Sequence, residues 1–163
     1  MSINLRLRSF WQNYWTPLLW AAVLFIQSSI PDLDSPVRLT KWDDKWAHVL
    51  IYLPLGFLLL GALARARAGR GSGTLLLMTF ALGSLYGITD EIHQYFVPGR
   101  HMDWRDAAAD SLGVMLGGLL YLKLRNRLQL RVTGDAEKPW QRALRKLIFP
   151  DPLLSSEDNR PAK

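Results

Sequence analysis

Charged positions are distributed very unevenly along the chain. No Asp, Glu, Lys or Arg occurs in residues 9–31, 46–64 or 71–89, runs of 23, 19 and 19 residues, and residues 107–122 carry only Asp110. These four stretches make up 77 of the 163 residues. Roughly 20 apolar residues span a bilayer core, so the first three predict membrane helices and the fourth is a shorter candidate. The pattern excludes a large soluble core. Sixteen residues make about 24 Å of helix, which would set Asp110 in or near the bilayer boundary.

The charges between these stretches sort by side. With a cytoplasmic N-terminus, the inner segments hold Arg6, Arg8, Arg65, Arg67, Arg70 and ten basic residues beyond Leu122, which is 15 of the 20 Lys and Arg. The outer segments, 32–45 and 90–110, hold 5 basic and 9 acidic residues, so an excess of Lys and Arg faces inward throughout. A fourth crossing is needed to keep the basic tail on the inner side. A cleaved signal peptide competes for the first stretch, because Arg6 and Arg8 precede it, but the run is long and no A-x-A-like site follows. The net charge of +6 is thus explained by membrane topology and carries no expectation of nucleic acid as a partner.

Outside the helices, residues 31–36 hold Asp32 and Asp34 between two prolines and predict an extracytoplasmic turn. Residues 65–73, rich in Arg and Gly, predict a short cytoplasmic connection. Trp11, Trp15, Trp42, Trp46 and Trp104 fall near helix ends, where indoles sit among head groups. Over 138–149, Trp140, Leu144 and Leu147 share one helical face opposite Arg142, Arg145 and Lys146. This predicts an amphipathic helix, either on the inner leaflet or docked on the bundle. The tail beyond Pro150 predicts disorder. The expected architecture is all-α: a polytopic membrane protein with a four-helix transmembrane bundle over 9–124, then a basic cytoplasmic tail over 125–163 with that interfacial helix.

Candidate chemistry lies where ionisable residues enter the helices. Asp44, His48 and Tyr52, with Lys45, keep near one face of the second helix. Gly83, Gly87, Glu91 and Gln94 do the same in the third, with Asp90 and His93 alongside. Asp103, Asp106, Asp110, Gly113 and Gly117 step by 3, 4, 3 and 4, a single stripe if the fourth helix begins that early. Three polar stripes thus reach the same, outer end of the bundle, and the paired glycines allow close helix approach. Ionisable groups at membrane depth are costly, so such a cluster is a site hypothesis by default. For each residue a plainer role stands beside it: Asp44 and Lys45 as a solvated helix start, His48 as a hydrogen-bonded interior residue, Tyr52 as packing, His93 and His101 as interfacial residues. Arg100, after the Pro98-Gly99 turn, presents a planar guanidinium suited to phosphate or carboxylate, or to a salt bridge with Glu91, Asp103 or Asp106.

The chain has no cysteine, which excludes disulfides, a thiol nucleophile and thiolate metal sites. Asp103, Asp106 and Asp110 are carboxylates of the kind that bind cations, yet no defined metal spacing is present. No metal or cofactor is expected.

DDKWAHVLIYLPLG at 43–56, together with DEIHQYFVPGRHMDWRDAAADSLGVMLGG at 90–118, resembles the VanZ-like family of small bacterial membrane proteins, over roughly residues 31–122. The resemblance places the family's characteristic positions on Asp44, Lys45, His48 and Tyr52, then Glu91, Gln94, Pro98 and Arg100, then Asp103, Asp106 and Gly113. Asp110 stands where the family often carries Asn. The resemblance implies a bacterial membrane protein, and with the charge asymmetry the expectation is a multi-pass protein of the cytoplasmic (inner) membrane with both termini cytoplasmic. It also implies a connection with the cell envelope, through the teicoplanin-resistance protein that gives the family its name. It identifies a family rather than a reaction.

Three classes of function follow. The first is a binding protein for an anionic envelope molecule such as a lipid-linked precursor. Arg100 and Lys45 would hold its phosphate, His48 and Tyr52 would hydrogen-bond to it, and Asp44, Gln94, Asp103, Asp106 and Asp110 would complete the site. The second is a hydrolase or transferase acting on a lipid phosphate, with His48 as general base or nucleophile, Glu91 or Asp44 orienting it, and Arg100 stabilising developing charge. The third is a structural or partner-binding bundle. Membrane lipids are expected partners in all three, and the sequence leaves oligomeric state open.

Overall fold

The computed structural model describes residues 3–31, 43–67 and 69–132. The expected turn over 31–36, apart from Pro31, and the expected amphipathic helix over 138–149 lie outside the described residues, as does the rest of the tail beyond 132. Among the described residues there are four α-helices and no strand: α1 (Ile3–Ser28), α2 (Asp43–Ala66), α3 (Ser72–Tyr95) and α4 (Trp104–Val132).

Three helices are long and apolar enough to cross a membrane, over Asp44–Ala66, Ser72–Tyr95 and Trp104–Arg127. Large apolar side chains such as Leu50, Leu77, Leu85, Leu112 and Leu119 remain exposed on their outer faces. In water such a belt would be a liability, whereas against lipid it is the expected surface. The molecule is therefore a helical membrane protein. α1 is interrupted by Gln12, Asn13, Thr16 and Gln27 and is not among these three spans.

α4 corrects the short helix expected from the sequence. It is 29 residues long, starts before the uncharged stretch and continues through Lys123, Arg125 and Arg127. Its early start has a local cause: the Asp103 side chain accepts the backbone N–H of Arg105 at 2.9 Å, an N-cap. The capped helix is about 43 Å long, and Asp110 sits about 9 Å from its first residue. A short fourth span therefore no longer constrains the position of Asp110.

α2 and α4 form the most extensive interface. Gly56 abuts the Val114 carbonyl, and Gly117 abuts the Leu53 carbonyl so closely that an added Cβ would overlap it. α3 packs on α4 through Gly83 against Val114 and Gly87 against Asp110. The small residues at four-residue spacing bring the backbones into contact, as the sequence suggested.

α1 is fastened to the other helices by hydrogen bonds. Trp20 Nε1 donates to the Ile51 carbonyl at 2.9 Å, and the Tyr86 hydroxyl donates to the Ala21 carbonyl at 2.6 Å. Pro17 lies inside α1 and lacks the N–H that the Asn13 carbonyl would otherwise accept. The Arg65 guanidinium supplies that donor at 3.0 Å. The core is completed by Leu24, Tyr52, Leu55 and Val114 in one cluster and Leu60 with Tyr121 in another.

Candidate functional site

The start of α2, the end of α3 and the start of α4 meet at one end of the molecule. Between α3 and α4 the chain reverses through residues 96–103, using Pro98 and a left-handed Gly99 at φ 77°. This reversal brings Asp103 back beside Glu91, whose Oε2 accepts the Asp103 backbone N–H at 2.9 Å. One carboxylate at the end of α3 thus fixes the first turn of α4.

From that anchor the α4 stripe faces α2 one turn at a time. Lys45 Nζ donates to Asp103 Oδ2 at 3.0 Å and to Asp106 Oδ1, and lies 3.5 Å from Asp44 Oδ2. One turn deeper, His48 Nδ1 is 2.8 Å from Asp110 Oδ1, and its Nε2 is 4.0 Å from Asp106 Oδ1. Deeper again, the buried Tyr52 hydroxyl donates to Asp90 Oδ2 at 3.1 Å. Gln94 Nε2 lies 3.4 Å from both Asp90 Oδ2 and Glu91 Oε1 and so ties the α3 carboxylates to each other. Glu91 and Asp110 are both 0% exposed.

Nine of the ten residues expected from the sequence are joined to this cluster by hydrogen bonds or ion pairs: Asp44, Lys45, His48, Tyr52, Glu91, Gln94, Asp103, Asp106 and Asp110. Arg100, the tenth, lies half-buried in the α3–α4 loop and is already engaged. His93 serves packing instead: it is 3.0 Å from Ser29 Oγ and stacks on Phe25 at 4.5 Å, which closes α1 onto α3. His101 is exposed.

Two expectations change. The residue that orients His48 is Asp110, not Glu91 or Asp44, because the α2–α4 seam places positions 48 and 110 at the same level. Asp90, given no role from the sequence, is the acceptor for Tyr52; its four-residue spacing to Gln94 was the available signal.

The electrostatic balance is acidic. Among the side chains joined by these bonds, six carboxylates (Asp44, Asp90, Glu91, Asp103, Asp106 and Asp110) surround one ammonium and one imidazole. Lys45 is thus occupied by the protein's own acids rather than poised for a phosphate. At the outer edge, the Arg105 N–H and then the Lys45 ammonium hold the Asp103 carboxyl below the usual carboxylate range. Deeper in, Asp110 Oδ2 and Asp90 Oδ1 are buried with no hydrogen-bond partner. Two trios, Asp44–His48–Asp106 and His48–Glu91–Asp110, each offer one ligand atom per residue within 4.8 Å of one another. The second trio is not visible as a sequence motif, because its members come from three helices; in the first, Asp44 and His48 lie one turn apart on α2 and only Asp106 comes from α4.

Beside the cluster, an open groove of about 740 Å³ runs between α2 and α4. Trp46, Val49, Ala108 and Leu112 give it an apolar lining, and Lys45 and Arg105 supply its charged positions. The Arg105 guanidinium lies 5.6 Å from the Trp104 ring centre, in cation–π range.

Fold and site together define a small helical membrane protein with a buried acidic cluster at one end of its bundle and an apolar groove alongside. The VanZ/LLP1 family model matches residues 1–126, and the chain belongs to that family. No curated protein and no solved structure gives a significant match to the chain.

Proposed function

We infer that this protein binds an envelope lipid with an anionic head group in the α2–α4 groove. The observation that carries the reading is the groove itself: an apolar channel on a membrane-facing seam, with Arg105 at its charged edge. A hydrocarbon chain fits against Trp46, Val49, Ala108 and Leu112, and a phosphate fits beside Arg105. The acidic cluster behind the wall disfavours an anion inside it, so the head group belongs at the groove and not among the carboxylates. In this reading α1 also crosses the bilayer, both termini are cytoplasmic, and the cluster faces the outer side of a bacterial cytoplasmic membrane, as the charge asymmetry supports. A lipid-linked precursor meets the chemical requirement. A role in teicoplanin resistance would follow from holding such a lipid, and glycopeptide susceptibility of a deletion strain tests that extension.

A hydrolase or transferase acting on the same lipid phosphate is the second reading, and one observation favours it. His48 Nδ1 is oriented by a fully buried Asp110, the geometry that leaves Nε2 for proton transfer. Val49 and Ala109, next in sequence to this pair, line the groove.

Native mass spectrometry of protein released gently from host membranes tests the binding reading. Wild type should retain an anionic lipid. Ala108→Trp, which fills the groove from an exposed position, should lose it, and Arg105→Gln should retain less. Equal retention by all three sinks the groove as the site. Turnover of the retained lipid that disappears in His48→Gln, with binding kept, would establish the second reading.

A further inference from the structure

Among the described residues, the buried part of the cluster leaves carboxylate oxygens without hydrogen-bond donors. Asp110 is 0% exposed, and only its Oδ1 is hydrogen-bonded, to His48. Its Oδ2 has no partner and points at α3, where a Cβ on Gly87 would stand 3.1 Å away. Glu91 lies one turn further along that same face of α3. A second buried carboxylate oxygen, Asp90 Oδ1, is also without a partner. Buried acceptors are almost always satisfied, so orphaned carboxylate oxygens in a buried, acidic cluster call for a positively charged occupant.

We propose that His48, Glu91 and Asp110 bind a divalent transition-metal cation, taking one ligand each from α2, α3 and α4. Their ligand atoms lie within 4.8 Å of one another. Two ligands each about 2.1 Å from one ion are at most about 4.2 Å apart, so a modest contraction closes the site around the ion. One imidazole with two carboxylates suits Zn²⁺ or Mn²⁺ better than Mg²⁺, which prefers an all-oxygen shell. The outer contacts are already in place: Glu91 accepts from Asp103 N at 2.9 Å and lies 3.4 Å from Gln94 Nε2, which holds its carboxylate in orientation. The other trio, Asp44–His48–Asp106, is the weaker candidate because the Lys45 ammonium already sits on Asp106 and would repel an ion there. The metal site goes beyond the lipid reading and does not depend on it.

The test uses the full chain, tag-free and stripped with EDTA, in detergent without added lipid. Isothermal titration with Zn²⁺ and Mn²⁺ should give one equivalent per chain, and the ion should raise the thermal midpoint, since it joins three helices. Asp110→Asn and Glu91→Gln should each weaken binding by more than about tenfold, while His93→Gln and His101→Gln, which alter the other two histidines, should leave it unchanged. Because cluster variants can fold poorly, X-ray absorption on the Zn²⁺-loaded wild type provides a second measurement: one imidazole among oxygen ligands is expected. The proposal is overturned by absence of stoichiometric uptake, by a shell without imidazole, or by binding that depends on Asp44→Asn but not on Glu91→Gln. Loss of the lipid in the groove test would leave each of these readouts unaffected.

Discussion

The α2–α4 seam has two halves that solve opposite problems. In the deeper half Gly56 and Gly117 set backbone against backbone, and Leu60, Phe57 and Tyr121 fill the remaining space. In the other half Lys45 and His48 face Asp103, Asp106 and Asp110, Tyr52 reaches Asp90 on α3, and one buried oxygen on each of Asp90 and Asp110 lacks a partner. The first half is locally consistent and holds the helices together. The second departs from the rule that buried polar groups are satisfied, and such departures concentrate where a protein binds or reacts.

This division makes an ordered set of predictions. Gly117→Leu should have the largest effect. Overpacking usually costs about 1–3 kcal/mol, but here the obstacle is the Leu53 carbonyl rather than a movable side chain, so folded, monodisperse protein should be nearly lost on size exclusion. Leu116→Ala, at an exposed neighbouring position, should leave the yield close to wild type. Normal yield for Gly117→Leu would mean that backbone contact does not hold the seam.

A smaller effect is expected from Lys45→Met, which keeps the apolar stem and removes the ammonium from Asp103, Asp106 and Asp44. Breaking a fully buried pair costs about 3–5 kcal/mol, and the partial exposure of Lys45 reduces this to about 2 kcal/mol. Thermal unfolding in detergent should show the drop, and a second change, Asp106→Asn, should recover part of it. If the double variant is less stable than Lys45→Met, the two residues are not coupled as described.

The smallest effect lies at the rim. Asp103→Asn keeps an N-cap and removes one charge, so at neutral pH it should cost less than about 1 kcal/mol. Its value is in the pH profile. A carboxyl held below its usual range stabilises the fold fully above the ordinary value of about 3.9 and loses that contribution as pH falls through the lowered folded value. The difference in thermal midpoint between wild type and Asp103→Asn should therefore shrink below about pH 4. A constant difference across that range would show that Asp103 acts only as a cap.

Much of this arrangement is legible in the periodicity of the chain. The spacing 103, 106, 110, 113, 117 already describes the α4 face that meets α2, because one helix repeats its face every three or four residues whatever surrounds it. The glycine pairs announce close packing for the same reason. The start of α4 is less legible, since the uncharged stretch begins at residue 107 and a charge-free run marks lipid exposure, not helix extent. Asp103 capping Arg105 sets the start three residues earlier.

What sequence by itself determined, then, was local and periodic: which segments are apolar, which faces are polar and, from two motifs in order, the family. Which residue meets which was decided only by tertiary structure. Asp110 falls on His48, Asp90 on Tyr52 and the Asp103 N–H on Glu91 because three helices pack in one register, with Gly87 against Asp110, Gly113 against Val49 and Tyr52, and Gly117 against Leu53. The rescue of Asn13 by Arg65, 52 positions along the chain, is of the same kind. Periodicity constrains a single helix, whereas partner choice depends on the axial offset between helices, and no single segment encodes that offset.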